Sequence, residues 1–261
     1  MLIDTHTHLY DERFDADRSE AVQRAIEAGV TRLYLPNCDS STIGPMLDVE
    51  TRFPQHCFAM MGLHPTYVNE TVEDELAMVR HWLDQRPFAA VGEIGLDYYW
   101  DTTHKDAQHH AFRTQMVWAV EKNLPIVIHN REATRDTIDL VKEFSGRGIR
   151  GVFHCFTGSY ETAKEITALG FYLGIGGVLT YPKAGLGDVV KKLGPEHLVL
   201  ETDAPYLSPV PHRGKRNESA YIPYVLQKLA EALEMPAEEV ARQTTRNAEA
   251  LFGIPASAAL P

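Results

Sequence analysis

Basic charge is what this chain of 261 residues lacks most: 25 Lys and Arg stand against 36 Asp and Glu, for a formal net charge of −11. That deficit excludes generic binding to duplex nucleic acid through a broad basic face, because such affinity comes from Lys and Arg neutralising phosphates. A phosphate-bearing substrate held locally by metal ions and a few arginines is still allowed. Cysteine is scarce as well. Cys38, Cys57 and Cys155 are an odd number with no Cys-x-x-Cys pair, which argues against a disulfide framework. Cys38 and Cys155 lie in or beside apolar runs and read as small buried residues. No apolar run approaches the ~20 residues that span a bilayer. The opening residues lack a basic segment followed by an apolar region and a cleavage site, so a cytoplasmic protein without membrane association is expected. No linker-like composition interrupts the chain, and one domain over residues 1–261 is expected.

Short apolar runs alternate with amphipathic helical patterns. The runs predict strands at Leu2–His6, Arg32–Pro36, Phe58–Leu63, Ala89–Ile94, Pro125–His129, Gly151–Phe156, Phe171–Ile175 and Leu198–Glu201. Helical spacing follows them, as in Leu76, Val79 and Leu83, or Ile222, Val225, Leu226, Leu229 and Leu233. Weaker helical patterns lie near Ile43–Glu50 and Asp188–Leu193. A last helix opens at Pro236 with Glu238 and Glu239 in its first turn and stops at Gly253, and the tail Ala256–Pro261 is expected to be disordered. Eight strand–helix units in this length match a single (β/α)₈ TIM barrel, an α/β fold, with an extra C-terminal helix. An open doubly wound sheet is the structural alternative, but no Gly-rich phosphate fingerprint follows any strand.

In such a barrel, chemistry sits at the C-terminal ends of the strands. Asp4-Thr5-His6-Thr7-His8 closes the first predicted strand, where residues two apart share a face. Chance alone supplies about 0.5 His-x-His pairs in a chain with this histidine content, so the pair by itself is weak. Other metal-binding residue types fall at the same end: His64 after the third strand, Glu93 on the fourth, His129 on the fifth, His154 on the sixth and Asp203 after the eighth. One such residue has a bland explanation as a satisfied core group. Six of them at one predicted mouth, His6, His8, Glu93, His129, His154 and Asp203, are costly to desolvate unless they are paired or bind metal. Four His, one Glu and one Asp exceed what one catalytic ion needs. A pair of divalent ions is expected, with Glu93 bridging, His6 and His8 on one ion near Asp203, and His129 and His154 on the other. Imidazole-rich ligand sets favour Zn²⁺, Mn²⁺ or Co²⁺ over Mg²⁺.

Several motifs sit on these residues: His6-x-His8, Gly62-Leu63-His64-Pro65, Gly92-Glu93-Ile94-Gly95-Leu96-Asp97, His129-x-Arg131, Phe153-His154-Cys155-Phe156 and Glu201-Thr202-Asp203-Ala204-Pro205. Two more, Arg213-Gly214-Lys215-Arg216-Asn217-Glu218 and Asn247-x-x-x-Leu251-Phe252, follow in order. Together they resemble the TatD family of metal-dependent DNases, amidohydrolase-like TIM barrels, over nearly the whole chain. The resemblance implies a cytoplasmic deoxyribonuclease, a 3′→5′ exonuclease preferring single-stranded DNA and linked to DNA repair. It maps metal ligation onto His6, His8, Glu93, His129, His154 and Asp203, and implies Mg²⁺ as the usual ion. Ser219 departs from the Pro that relatives often carry after the Asn-Glu pair.

Glu93, Asp203 and His64 are the expected catalytic residues, with Asp203 orienting the attacking water and accepting its proton, and His64 contacting the phosphate or the leaving oxygen. For His64 the plain alternative is a loop histidine beside Pro65. Arg131, Arg213 and Arg216 are the expected phosphate contacts, although a basic run is commonly just a solvated face. Glu201 and Asp4 are expected to support the ligands. Asp97, Tyr98, Tyr99 and Trp100 read as loop packing or as an aromatic wall for a base. A DNA substrate and a monomeric state are expected. The rival activity is metal-dependent hydrolysis of an ester or amide, such as aminoacyl-tRNA deacylation; a barrel that binds without catalysing is the non-enzymatic rival.

Overall fold

The structure is a computed structural model, and it describes residues 1–253. Among the described residues, eight short parallel strands run β1 (Leu2–Asp4), β2 (Val30–Pro36), β3 (Cys57–Met60), β4 (Val91–Asp97), β5 (Ile126–Arg131), β6 (Gly151–Phe153), β7 (Tyr172–Ile175) and β8 (Leu198–Leu200). Between them lie α1 (Arg18–Glu27), α2 (Ser40–Arg52), α3 (Val72–Gln85), α4 (Lys105–Glu121), α5 (Thr134–Glu143), α6 (Tyr160–Ala168) and α7 (Leu186–Leu193), followed by α8 (Ile222–Leu233) and α9 (Ala237–Phe252).

Strands pair in chain order, β1 to β3 and β4 to β8. Backbone hydrogen bonds join the two sets at both seams. Met61 N–H donates to Ala90 O (3.1 Å) and Gly92 N–H to Met61 O (3.0 Å) between β3 and β4; Thr5 N–H donates to Leu200 O (3.0 Å) and Asp203 N–H to His6 O (2.9 Å) between β8 and β1. The fold is a TIM barrel with α9 as the extra C-terminal helix. The expectation for Ala256–Pro261 falls outside the described residues.

The strands read as apolar runs because both of their faces are covered. Ile3, Tyr34, Phe58, Met60, Ala90, Val127, Val152 and Val199 form the inner cluster, which Ala248 and Leu251 of α9 join. The Asn247-x-x-x-Leu251-Phe252 motif thus plugs the barrel floor. Asn247 donates from Nδ2 to Pro195 O (2.8 Å) and Leu198 O (2.7 Å), and Phe252 stacks on Tyr34 with ring centroids 4.2 Å apart. Because side chains alternate along a strand, residues two beyond the inner layer share its face nearer the mouth: His129 follows Val127, His154 follows Val152 and Glu201 follows Val199.

Several strand boundaries differ from the sequence reading. β1 ends at Asp4 and β6 at Phe153, because the chain there turns over the barrel rim; Thr7 N–H donates to Tyr34 O (3.0 Å) and His8 N–H to Ala204 O (2.7 Å) instead of extending a regular ladder. Conversely, β4 and β5 run on to Asp97 and Arg131, so Glu93 and His129 lie within strands rather than at their ends. No helix among the described residues is long and apolar enough to cross a membrane.

Candidate metal centre

Glu93 occupies the middle of the barrel mouth and is 2% exposed. Its backbone is held by Asn37: Glu93 N–H donates to Asn37 O (3.1 Å), and the Asn37 side chain donates to Gly62 O (2.8 Å). The two carboxylate oxygens face different partners. Oε2 lies 3.1 Å from His6 Nε2 and 3.7 Å from His8 Nε2. Oε1 lies 2.8 Å from His154 Nε2, 2.9 Å from His129 Nδ1 and 3.3 Å from His64 Nε2. Asp203 Oδ1 is 3.5 Å from His8 Nε2 and 3.8 Å from His6 Nε2. Three sets of possible ligand atoms result: His6, His8 and Asp203; His6, Glu93 and His154; and His64, Glu93 and His129. All six residues named as ligands from the sequence converge here, and His64 joins them.

The hydrogen bonds around each ring determine which nitrogen faces inward. Tyr10 Oη is 2.5 Å from Pro36 O, which can only accept, so the single phenolic proton points there. His8 Nδ1, 2.7 Å from the same oxygen, must then be a donor, which leaves Nε2 as the nitrogen that can ligate a cation beside Asp203 and Glu93. His129 Nε2 lies 2.7 Å from Asp97 Oδ2, while Asp97 Oδ1 accepts from Tyr99 N–H (2.9 Å). A carboxylate on the far nitrogen of an inward-facing imidazole is the usual support of a metal-ligating histidine. His64 differs: Thr66 N–H donates to its Nδ1 (3.2 Å), which places the proton of the neutral ring on Nε2, facing Glu93. That favours the reading of His64 as a proton donor at the mouth over that of a ligand.

Burial drives every charged form here upward in energy, and the neighbours decide the outcome. Burial pushes the Glu93 carboxyl up, but His154, His64 and His6 outweigh it and hold it well below the usual carboxylate range. Asp203 is likewise lowered against burial, by His8, His154 and His6. Burial depresses His64 to about 4, so its ring is neutral near pH 7. Burial also pulls His129 down, yet Asp97 and Glu93 raise it above its ordinary value.

The donor set fits divalent cations. His6 Nε2 and His8 Nε2 stand 3.2 Å apart, and the His8 proton is committed elsewhere. His129 meets a carboxylate with each nitrogen. Such crowding of lone pairs and carboxylates around shared points is relieved by cations lying between them. Gly95 is part of the fit. A Cβ there would stand 2.0 Å from His129 O, at a φ of +145° that other residues rarely adopt, so glycine lets β5 bring His129 against β4.

A cleft of about 1260 Å³ opens over these residues. Arg131 lines it and lies 3.6 Å from the Tyr99 ring centroid and 5.3 Å from that of Trp100, both exposed. Tyr98, in contrast, packs in the loop and donates to Asp136 Oδ2 (2.7 Å). Glu201 stands beside His154, with Oε1 at 3.6 Å from Nδ1, and accepts from Cys155 N–H (2.6 Å). Asp4 lies beneath, accepting from Thr202 Oγ1 (2.6 Å) and His6 N–H (3.2 Å).

Arg216 is not brought to this cleft. It bonds Asp17 (2.6 and 2.8 Å), Arg13 O (2.8 Å) and Glu218 (3.5 Å), which ties the loop after β8 to the start of α1. The expected phosphate contact is therefore corrected to a structural ion pair, since its donors are already committed. Arg213 lines a neighbouring cleft rather than the central one. Tyr10, Asn37 and the role of Asp97 were missed in the sequence reading. Only Asp97 carried a signal, sharing by strand parity the face of Glu93.

Fold and site together define a TIM-barrel hydrolase that depends on metal ions. A family model of TatD related DNases matches residues 3–253, and the chain belongs to this family. It is 42% identical over 255 residues to the metal-dependent hydrolase YabD of Bacillus subtilis, covering 97% of this chain and 100% of that one. It is 30% identical over 259 residues to the 3′-5′ ssDNA/RNA exonuclease TatD of Erwinia tasmaniensis, covering 97% and 100%. Among solved structures, the TatD homologue YjjV of Escherichia coli K12 superposes with a TM-score of 0.92 at 32% identity, covering 97% of this chain and 98% of that one.

Proposed function

We propose that this chain is a cytoplasmic, monomeric deoxyribonuclease that hydrolyses phosphodiester bonds of single-stranded DNA from the 3′ end, using two divalent ions. The observation that carries the reading is the division of Glu93, with one oxygen toward His6 and His8 and the other toward His129, His154 and His64. A carboxylate so divided suits two ions held at one point, with His6, His8 and Asp203 on one side and His129 and His154 on the other. When bound, such ions lower the pKa of water and neutralise charge on a phosphate oxygen.

The chain's own residues supply the rest. Asp203, ionised and at the cleft wall, orients the attacking water and takes its proton. His64, neutral with its proton on Nε2, donates to the phosphate or to the departing oxygen. Arg131 offers a forked set of donors to a phosphate from a position already stacked on Tyr99. The exonuclease named above, at 30% identity, supports the choice of substrate.

The test is a metal-depleted preparation assayed on single-stranded DNA, duplex DNA and RNA, with Mg²⁺, Mn²⁺ or Zn²⁺ restored in turn. Metal-dependent loss of 3′ nucleotides from single-stranded DNA is expected, and Glu93→Ala should abolish it while leaving the fold intact. Absence of cleavage of any nucleic acid with every metal, alongside hydrolysis of small esters, would overturn the reading in favour of an esterase.

A further inference from the structure

The central cleft does not end at the metal centre. Val178, in the turn after β7, lines both it and a second cleft of about 490 Å³ formed by Tyr181, Pro182, Lys183, Ala184 and Arg213. That volume falls in the range of ~300–1,000 Å³ typical of ligand sites. The walls are built rather than draped. Tyr181 donates from its hydroxyl to Ser208 O (3.0 Å), and Val210 N–H donates to Thr180 Oγ1 (2.9 Å). Gly177 comes so close to the loop after β8 that a Cβ would stand 2.0 Å from Leu207 O. The loops after β7 and β8 thus hold one another in place.

Arg213 lies over the Tyr181 ring, 3.9 Å from its centroid. Neither Arg213 nor Lys183 has a carboxylate partner among the described residues, although the chain is strongly acidic. Another stretch of the central cleft wall has the reverse character. Asp11, Glu12, Asp15 and Asp48 line it, and the cations beside them are already engaged, Arg13 with Asp11 and Arg18 with Asp15. A polyanion at the metal centre thus meets carboxylates along the wall from Asp11 to Asp48, and beyond Val178 a free arginine on an aromatic ring.

We propose that the Tyr181–Arg213 cleft is a subsite for an unpaired nucleotide of the substrate strand, one that lies beyond the bond being cleaved. A stacked arginine and tyrosine offer a face to a base and a charge to its phosphate at one point, the combination that single-strand binders use. A duplex, whose bases are already stacked, cannot use the ring. This subsite rests on the nuclease reading, and it adds the direction the strand takes: across Val178 rather than over α2.

The experiment compares KM for a fluorescein-labelled eight-nucleotide DNA strand with KM for bis(p-nitrophenyl) phosphate, which carries no further nucleotide to place in the subsite. In metal-loaded Arg213→Ala the ratio of the two should rise about tenfold over the wild type, and further in Arg213→Glu. Asp48→Lys, on the acidic wall, should leave the ratio within twofold. Fluorescence anisotropy of the same strand on the Arg213 variants should show the same weakening. An unchanged ratio in both Arg213 variants overturns the subsite and leaves the nuclease reading standing. A wild-type enzyme that hydrolyses only the small diester overturns both.

Discussion

Replacing Tyr10 by Phe should weaken metal binding while leaving the barrel intact. The ring of Tyr10 is 6% exposed, and Phe preserves its packing. What is lost is one oxygen that orders two groups: it donates to Pro36 O at 2.5 Å and accepts from His8 Nδ1 at 2.7 Å. Without it, Nδ1–H has only Cys38 Sγ at 3.8 Å, and the proton is free to move to Nε2, where it blocks the lone pair that faces Asp203. Losing the partner on the far nitrogen of a ligating histidine costs ~10–100-fold in metal affinity, which is about 1.4–2.7 kcal/mol. The assay is calorimetric titration of metal into depleted protein, with thermal melts of the metal-free variant to separate the ~1 kcal/mol loss at Pro36 O. Equal metal affinity in Tyr10→Phe and wild type would refute the tautomer argument.

The barrel and its mouth were legible because both follow from short-range rules. Strand parity alone carries Val127 to His129 and Val152 to His154, so ligand residues could be placed on the inward face without knowing a contact. Even where β1 ends early at Asp4, His6 and His8 still converge, because hydrogen bonds to β2 and β8 replace the ladder. The basic loop was not legible in the same way. Arg216 has the same charge as Arg213, yet its partner Asp17 lies 199 positions away in sequence, and only folding reveals that its charge is spent. Tyr10 was invisible for a related reason: its role needs the Pro36 carbonyl, and a main-chain oxygen has no residue type to read.

Arg216→Ala should lower Tm by about 3 °C, since a partly exposed ion-pair network contributes about 1 kcal/mol, and should leave KM for DNA within twofold. A raised KM at unchanged Tm would restore Arg216 as a substrate contact. Asp4→Asn tests the buried carboxyl under His6. Burial pushes Asp4 from its ordinary 3.8 up to about 7, against the hydrogen bonds of Thr202, Ser219 and His6 N–H that favour its ionised form. The folded state of the metal-free protein therefore keeps a proton that the unfolded chain has already released between about pH 4 and 7. Stability must fall as pH rises through that window, by at most about 4 kcal/mol from this group, and the loss is complete above pH 7. Asparagine fills the same space with nothing to titrate. Urea melts of the metal-free proteins from pH 4.5 to 8 should show the variant gaining on the wild type as pH rises. Parallel profiles would mean that Asp4 is ionised throughout, its hydrogen-bond donors outweighing its burial.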